Sequence, residues 1–377
     1  MLRVLHLTKR YWPHRGGVER HVRDLATGLV ATGDAAVEVL VAADGGTSRT
    51  WDDDGVRVTE VAAYGRAWSL DLAPGYPWAV RAALSRRPDV VHLHEPHPLG
   101  LVAWAALRHW MPPVVVTWHA DIIRQRLLLP LYGPLQRWLL HEARVVITAT
   151  DRHVTASAFL PHVASNCHVV PYGIDGNLFV DPTCAMAGAA MRRGWGDPAR
   201  VVLFVGRLIY YKGLPVLLDA MSGIDGNLIL AGEGRDRVAL EAQAARLGIA
   251  GRVRFLGDVS EADLPATYHA CDVFVLPSIA STEGFGLVQL EAMACAKPVV
   301  STRLPTGVAV VNQHGVTGLT VHPGDAGALR SALDQLLRDR TLAAAYGEAG
   351  RRRVRESFSR EQMVTNTLAL YRSVAHK

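Results

Sequence analysis

The chain has 377 residues, more than one core usually supports, so two domains of roughly 150 to 200 residues each are expected. Hydrophobic residues make up 49% and charged residues 20%, with no low-complexity tract, which excludes a disordered chain. The net charge of +5 is spread over both halves, 18 Lys and Arg against 16 Asp and Glu through Leu178 and 22 against 19 beyond it, so nothing in it points to nucleic acid.

The opening "MLRVLHLTKRYWP" is too short an apolar run for a signal peptide, and nowhere do about 18 apolar residues follow one another without a charge or proline. A chain that is neither secreted nor membrane-spanning is expected. Cys167, Cys184, Cys271 and Cys295 lie far apart, without metal spacing or the density of a disulfide framework, and read as free thiols in a reducing cytoplasm.

In chain order, the first half offers the apolar runs "RVLHLT", "VEVLVAA", "VRVTEVAA", "DVVHLH", "PVVVTWH", "RVVITAT" and "CHVVPYG". Several are nearly continuous in Val, Ile and Leu, as strands buried on both faces of a parallel sheet are. Between them, "VERHVRDLATGLVATG" carries Val18, Val22, Leu25, Leu29 and Val30 at helical spacing and closes on Gly33. After "PYGIDGNLF", prolines and glycines in "VDPTCAMAGAAMRRGWGDPAR" interrupt any period. A second series follows: "VVLFVG", "NLILAGEG", "RVRFLGDV", "DVFVLPS", "PVVST" and "GLTVHP". The last segment, "EQMVTNTLALYRSV", is an amphipathic helix with Met363, Leu368, Leu370 and Tyr371 available to pack on either domain. The expected fold class is α/β: two Rossmann-like, doubly wound parallel-sheet domains facing a central cleft, over residues 1–178 and 179–356, with a C-terminal helix over 357–377.

Three loops carry chemistry. Gly16-Gly17, between the first strand and its helix, is either a plain tight turn or a place where backbone N–H groups meet an anion beside the helix dipole. The pattern is not G-x-G-x-x-G. In "FVGRLIYYKGLP", Arg207 and Lys212 stand five residues apart between a strand and a helix, suited to neutralising a diphosphate as it leaves. The Walker pattern is missing. In "STEGFGLVQLEAM", Glu283 belongs to a strand-to-helix connection, followed by the amides of Gly284, Phe285, Gly286 and Leu287, and can hydrogen-bond sugar hydroxyls. Glu291 lies inside the helix among Leu287, Leu290, Met293 and Ala294, where a carboxylate needs a partner and can reach a ribose.

His119 and Asp121 end the strand of "VVVTWHADI", where a histidine is either a satisfied hydrogen-bonding group or one that faces a ligand. In "VVHLHEPHP", strand alternation turns Glu95 away from His92 and His94, and no metal site is expected there or with His97.

Taken together, Gly16-Gly17, His119, "GRLIYYKG", "AGEG" (Ala231 to Gly234), "FLGDV" (Phe255 to Val259) and the E-x7-E of Glu283 and Glu291 resemble glycosyltransferase family 4, with the GT-B fold. The resemblance spans nearly the whole chain. It implies that Arg207 and Lys212 hold the donor diphosphate with the Gly16-Gly17 loop, and that the Gly17 amide contacts it. Glu283 and the Gly284-Phe285-Gly286-Leu287 amides would orient the donor sugar, Glu291 would bind the ribose, Val259 would meet the base, and His119 would lie by the sugar. It further implies retention of configuration, no metal and no cofactor besides the nucleotide sugar. It also implies return of the 357–377 helix to the N-terminal domain, although "ESFSREQMV" lacks the tryptophan often seen there.

Local similarity in "TWHADIIRQRLLLPLYGPLQRWLL" and "GRLIYYKG" is to bacterial mannosyl- and rhamnosyltransferases of O-antigen and exopolysaccharide synthesis. GDP-mannose is the expected donor, with UDP-hexose as the alternative, and a polyprenyl-diphosphate-linked saccharide the expected acceptor. The stretch Ile122 to Leu140, with Arg124, Arg126, Arg137 and Trp138 among leucines, reads either as a buried helix broken at Pro130 and Pro134 or as a surface for peripheral contact with the cytoplasmic face of the inner membrane. Acceptor contacts are expected on Thr47–Asp54 and Tyr64–Pro77, loops without a motif. A sugar-nucleotide epimerase, a phosphorylase or a non-catalytic nucleotide-sugar-binding protein are the competing readings. A phosphorylase would need a longer chain, and a binding protein would be expected to lack Glu283, His119 or Lys212.

Overall fold

Strands that are apolar at every position need cover on both faces, which a parallel sheet sandwiched by helices provides. The computed structural model, which describes residues 1–14, 16–67, 70–121 and 129–375, forms two such sheets. They belong to two units, one made of Met1–Gly173 with Arg360–Lys377, the other of Ile174–Ser359.

The first unit runs β1 (Leu2–Leu7), α1 (Gly17–Ala31), β2 (Ala35–Ala42), β3 (Arg49–Asp53), β4 (Val56–Val61), the short pair β5 (Arg66–Ala67) and β6 (Leu70–Asp71), α2 (Tyr76–Leu84), β7 (Val90–Glu95), α3 (Pro98–Leu107), β8 (Val114–Trp118), α4 (Leu129–Glu142), β9 (Val145–Thr148), α5 (Asp151–Ala156) and β10 (Cys167–Val169). Its eight-stranded sheet has the order β10-β9-β8-β7-β1-β2-β4-β3, parallel except at β3. Period-2 alternation sorts the side chains. Leu5 and Leu7 of β1 pack on one face with Tyr76, Leu101 and Trp104, whereas Val4 packs on the other with Val22, Leu25 and Leu29 of α1.

Thr47–Asp54, expected as a loop, instead contains the edge strand β3. The reason is local: Asp54 and Gly55 both adopt positive φ, 51° and 83°, and turn β3 onto β4 as an Asp-Gly hairpin. Asp53 is then buried, accepting from the Tyr11 hydroxyl at 2.9 Å and from Arg23 at 3.0 Å.

The second unit runs α6 (Asn177–Val180), α7 (Pro182–Gly194), β11 (Val201–Val205), α8 (Leu214–Met221), β12 (Asn227–Ala231), α9 (Arg237–Arg246), β13 (Val253–Gly257), α10 (Leu264–His269), β14 (Val273–Leu276), α11 (Leu287–Ala294), β15 (Val299–Thr302), α12 (Val308–Val311), β16 (Gly318–Val321), α13 (Ala326–Arg338) and α14 (Arg340–Ser357). The sheet is wholly parallel, in the order β13-β12-β11-β14-β15-β16.

The segment expected to be irregular after Phe179 contains α7, a correction with a clear cause. Pro182 occupies the first helical turn, where its missing N–H costs nothing, and Asp181 accepts from the Thr183 N–H at 2.8 Å as a cap. Gly188 permits close approach to α10, since a Cβ there would lie 2.8 Å from the Ala266 carbonyl. Arg192 then locks α7 to the start of β14 through both oxygens of Asp272, each at 2.9 Å.

The final helix α15 (Arg360–Ala375) packs within the first unit, burying Met363, Val364, Leu368 and Tyr371 beside α1, with Leu370 partly buried. Arg360 donates to the Asp24 carbonyl at 3.0 Å and to Thr27 Oγ1 at 2.8 Å, both in α1. The chain changes unit at Gly173/Ile174 rather than at 178, because the Ile174 N–H donates to the Phe358 carbonyl at 3.0 Å, just past α14, and so belongs with the second unit.

Residues 122–128 of the basic-apolar stretch lie outside the described residues. Its remainder, α4, is not broken at Pro134. Leu139 and Leu140 are buried, and Gln136 and Tyr132 both donate to Glu95, contacts that offset the backbone hydrogen bond a proline removes. Arg137 lies over the Phe159 ring and Trp138 packs edge-on against Trp104, under Arg108. Among the described residues no helix is long and apolar enough to cross a membrane.

Candidate active site

Where strand order reverses in a doubly wound sheet, the loops leaving two adjacent strands part to opposite sides and open a crevice at their carboxyl ends. In the second unit that place lies between β11 and β14. Arg207 and Lys212 follow β11 and Glu283 follows β14, so residues 71 positions apart meet there. Lys212 Nζ lies 2.5 Å from Glu283 Oε2, and the Ser278 hydroxyl donates to the same oxygen at 3.0 Å. Thr302, at the end of β15, fixes this connection by donating to the Ser278 carbonyl at 2.5 Å. Both charged groups are buried, 8% and 9% exposed. Arg207 is exposed, its guanidinium 3.3 Å from the Tyr211 hydroxyl.

Gly213, next to Lys212, has φ 68°, and an added Cβ would lie 2.1 Å from the Pro277 carbonyl oxygen. Gly213→Ala is therefore expected to destabilise the second unit by at least about 2 kcal/mol, from left-handed strain plus the clash, a loss that urea unfolding of the purified variant would read. The "AGEG" turn packs on the same loop. The Gly206 N–H donates to the Ala231 carbonyl and the Leu208 N–H to Glu233, both at 2.9 Å.

Glu283 lies in the connection, as expected, and Leu287 opens α11 after Gly286. The Gly284 carbonyl accepts from the Gly307 N–H at 2.7 Å, and Phe285 is buried. Glu291 is 5% exposed, and its Oε2 accepts from the Tyr268 hydroxyl at 2.6 Å. Tyr268 supplies the partner that a carboxylate in this apolar surround needs. Burial, reinforced by Glu291, holds the Tyr268 hydroxyl well above its usual range. Val259 lies just past β13.

In the first unit the order reverses between β1 and β7. Gly16-Gly17 follows β1 and leads into the fifteen-residue α1, with Glu19 in its first turn. His119 stands just past β8, 6% exposed. Its Nδ1 is 2.5 Å from the Tyr172 hydroxyl and its Nε2 is 3.1 Å from His94 Nδ1. Both ring nitrogens are thus engaged inside the unit, and a substrate contact requires the ring to exchange one partner. Burial pushes the His119 imidazole down to about 3. Asp121 holds the chain in place, accepting from the Trp118 indole at 2.8 Å, the Ser157 hydroxyl at 2.7 Å and the Ala158 N–H at 2.8 Å.

Glu95 sits apart from His92 and His94, with Tyr132 at 2.8 Å and Gln136 at 3.1 Å, and burial raises its carboxyl. Sequence reasoning missed His6. In the parallel register His6 stands opposite His92, and His6, His92 and His94 bring one nitrogen each within 4.8 Å of one another. His6 Nδ1 and His94 Nε2 already share a hydrogen bond of 2.9 Å, which a metal would have to replace. The signal was present: histidines at alternate positions in strands otherwise apolar on both faces are out of place unless they bond to one another.

Residues 16–173 match the family described as glycosyl transferase 4-like domain, and residues 192–353 match glycosyl transferases group 1. The D-rhamnosyltransferase WbpZ of Pseudomonas aeruginosa is 36% identical over 279 residues, covering 73% of this chain and 71% of its own. The chain belongs to glycosyltransferase family 4. O-antigen chain mannosyltransferase C of Escherichia coli is 29% identical over 380 residues, covering 98% of both. Among solved structures, sucrose-phosphate synthase of Thermosynechococcus elongatus superposes with a TM-score of 0.85 at 25% identity, over 99% of both chains. Anabaena HepE, solved with UDP-glucose, has a TM-score of 0.78 at 24% identity, over 98% of this chain and 100% of its own. In each unit of this family 4 glycosyltransferase the named residues other than Glu291, which lies inside α11, are in connections that leave the carboxyl ends of strands, and the fold is GT-B.

Proposed function

We propose that the protein transfers a hexosyl group, mannose from GDP-mannose, to a hydroxyl of a lipid-linked saccharide in O-antigen or exopolysaccharide assembly. The observation that carries this reading is the Lys212–Glu283 pair at the strand reversal of the second unit, within a chain whose relatives include a D-rhamnosyltransferase and an O-antigen mannosyltransferase.

In this reading Arg207 and Lys212 neutralise the diphosphate as the glycosidic bond breaks, the step in which charge develops and fixed cations lower the barrier most. Glu283 turns from Lys212 toward the sugar hydroxyls, beside the amides of Gly284 to Leu287. Glu291 takes the ribose hydroxyls and the backbone near Val259 takes the base. In the first unit, the Gly17 amide is assigned to the diphosphate and His119 to the sugar. Transfer is proposed to retain configuration, with the departing phosphate accepting the acceptor proton, and to need no metal. A lipid-linked acceptor would bring the protein to the cytoplasmic face of the inner membrane.

The test is a thermal-shift and calorimetric comparison of GDP, UDP, GDP-mannose and UDP-glucose with EDTA present. Selective binding of the two guanosine compounds is expected. Selective binding of the uridine pair would replace the donor, a requirement for divalent metal would remove the metal-free reading, and binding of none would refute nucleotide-sugar use.

A further inference from the structure

Four imidazoles, two phenols and a threonine of the first unit are joined end to end. Thr117 Oγ1 is 2.7 Å from His92 Nε2, and His92 Nδ1 is 2.6 Å from the Tyr371 hydroxyl. That hydroxyl is 3.4 Å from His6 Nε2, and His6 Nδ1 is 2.9 Å from His94 Nε2. His94 Nδ1 is 3.1 Å from His119 Nε2, and His119 Nδ1 is 2.5 Å from the Tyr172 hydroxyl. Parallel pairing sets His6 opposite His92 and His94 opposite Thr117, and α15 brings Tyr371 onto the same face.

A neutral imidazole donates through one nitrogen and accepts through the other, so His6, His94 and His119, bonded ring to ring, share one direction. These three rings then all carry the proton on Nε2 or all on Nδ1, and His92 follows them where Tyr371 donates to one neighbour and accepts from the other. The two short tyrosine links select between these, because a phenol is a stronger donor than acceptor toward a neutral imidazole. Tyr371 donating to His92 Nδ1 and Tyr172 donating to His119 Nδ1 both require Nε2–H.

We propose that Tyr172 and Tyr371 are positioning residues that together fix the proton of His119 on Nε2, Tyr172 directly and Tyr371 through His6 and His94. Neutrality of the rings follows from their surroundings: burial lowers all four, His6 and His119 to about 3, and among the described residues no carboxylate bonds any of them. His21 packs with its ring centroid 4.0 Å from that of Tyr172 and 5.5 Å from that of His119, and burial holds it neutral as well. The consequence for transfer rests on the reading that His119 meets the sugar. A ring that leaves His94 then offers an N–H donor rather than a base, which suits a reaction whose acceptor proton goes to the departing phosphate.

The experiment is two-bond ¹H–¹⁵N correlation of the full-length protein labelled at histidine, in the wild type, in Tyr371→Phe and in the double variant Tyr172→Phe/Tyr371→Phe, with donor kinetics on all three. Four neutral Nε2–H rings are expected in the wild type. In Tyr371→Phe, His6 loses its acceptor and His92 its donor while Tyr172 still holds His119; in the double variant no phenol orients the chain, so His119 is expected in mixed tautomers, with kcat down by about fivefold and donor KM unchanged. A wild-type His119 that is charged or protonated on Nδ1 overturns the proposal even if a variant does not fold. So does a double variant whose His119 keeps its tautomer, or stoichiometric zinc retained by the wild type with a cobalt d–d spectrum on substitution. Correct tautomers in a protein that transfers no sugar would refute the transferase reading and leave the tautomer assignment standing.

Discussion

Replacing Lys212 with alanine is expected to lower turnover by more than about tenfold, because a cation aimed at a leaving diphosphate acts on the transition state more than on the bound substrate. The structure adds a second effect to separate from the first. Lys212 Nζ is 2.5 Å from Glu283 Oε2 in surroundings that leave both residues under 10% exposed, so removing the lysine strands a carboxylate. That loss is of order 3 kcal/mol, at the low end for a buried pair because some solvent reaches it. Adding Glu283→Gln removes the stranded charge and is expected to recover most of the thermal stability. It is not expected to recover the rate. Wild-type transfer rates in Lys212→Ala would sink the leaving-group assignment, and recovery of both quantities in the double variant would reduce the lysine to a structural partner of Glu283.

Acidification is expected to unfold the first unit well before ordinary acid denaturation. His6, His97 and His119 are each pushed down to about 3 by burial, and His21, His92 and His94 are held well below their usual range for the same reason. An unfolded histidine titrates near 6.5, so below that pH the unfolded chain binds protons that the folded one refuses. Stability is complete above about pH 6.5 and falls as pH drops from there toward 3, by about 1.4 kcal/mol per pH unit for each such histidine. For His6, His97 and His119 alone the loss at pH 5.5 is about 4 kcal/mol, a large share of a domain's stability. Eight of the nine tryptophans lie in the first unit, so tryptophan fluorescence reports it selectively. A fall of about 10 °C in its midpoint between pH 7.5 and 5.5 is expected, and a flat profile would show that the rings find protons or water that the folded structure does not provide.

The elements that carry the sheets were legible because their apolar runs are long and sheet burial demands them; the exceptions were decided by capping and turn chemistry. Helix α7 follows from Asp181 and Pro182, with Gly188 there for contact with α10 rather than to break a period. Strand β3 follows from Asp54-Gly55, a hairpin signal hidden in a polar stretch. The loop residues lie where their motifs put them, between a strand end and a helix start, and Glu291 lies inside α11. Their partners were not legible. Nothing local joins Glu283 to Lys212, Glu291 to Tyr268 or His119 to Tyr172, since each pair is made by elements that only sheet order brings together.

By itself, then, the sequence determined the two parallel α/β units, the loops that carry charge and glycine, and the family whose motifs they match, because these depend on periodicity and short-range chemistry. Tertiary structure decided which unit receives the last helix, which carboxylate meets which donor, and that His6, His92, His94 and His119 form one chain, with Tyr371 linking His92 to His6. The physical reason is register. Parallel pairing sets residues from distant segments opposite one another, and burial then forces their polar atoms to find each other.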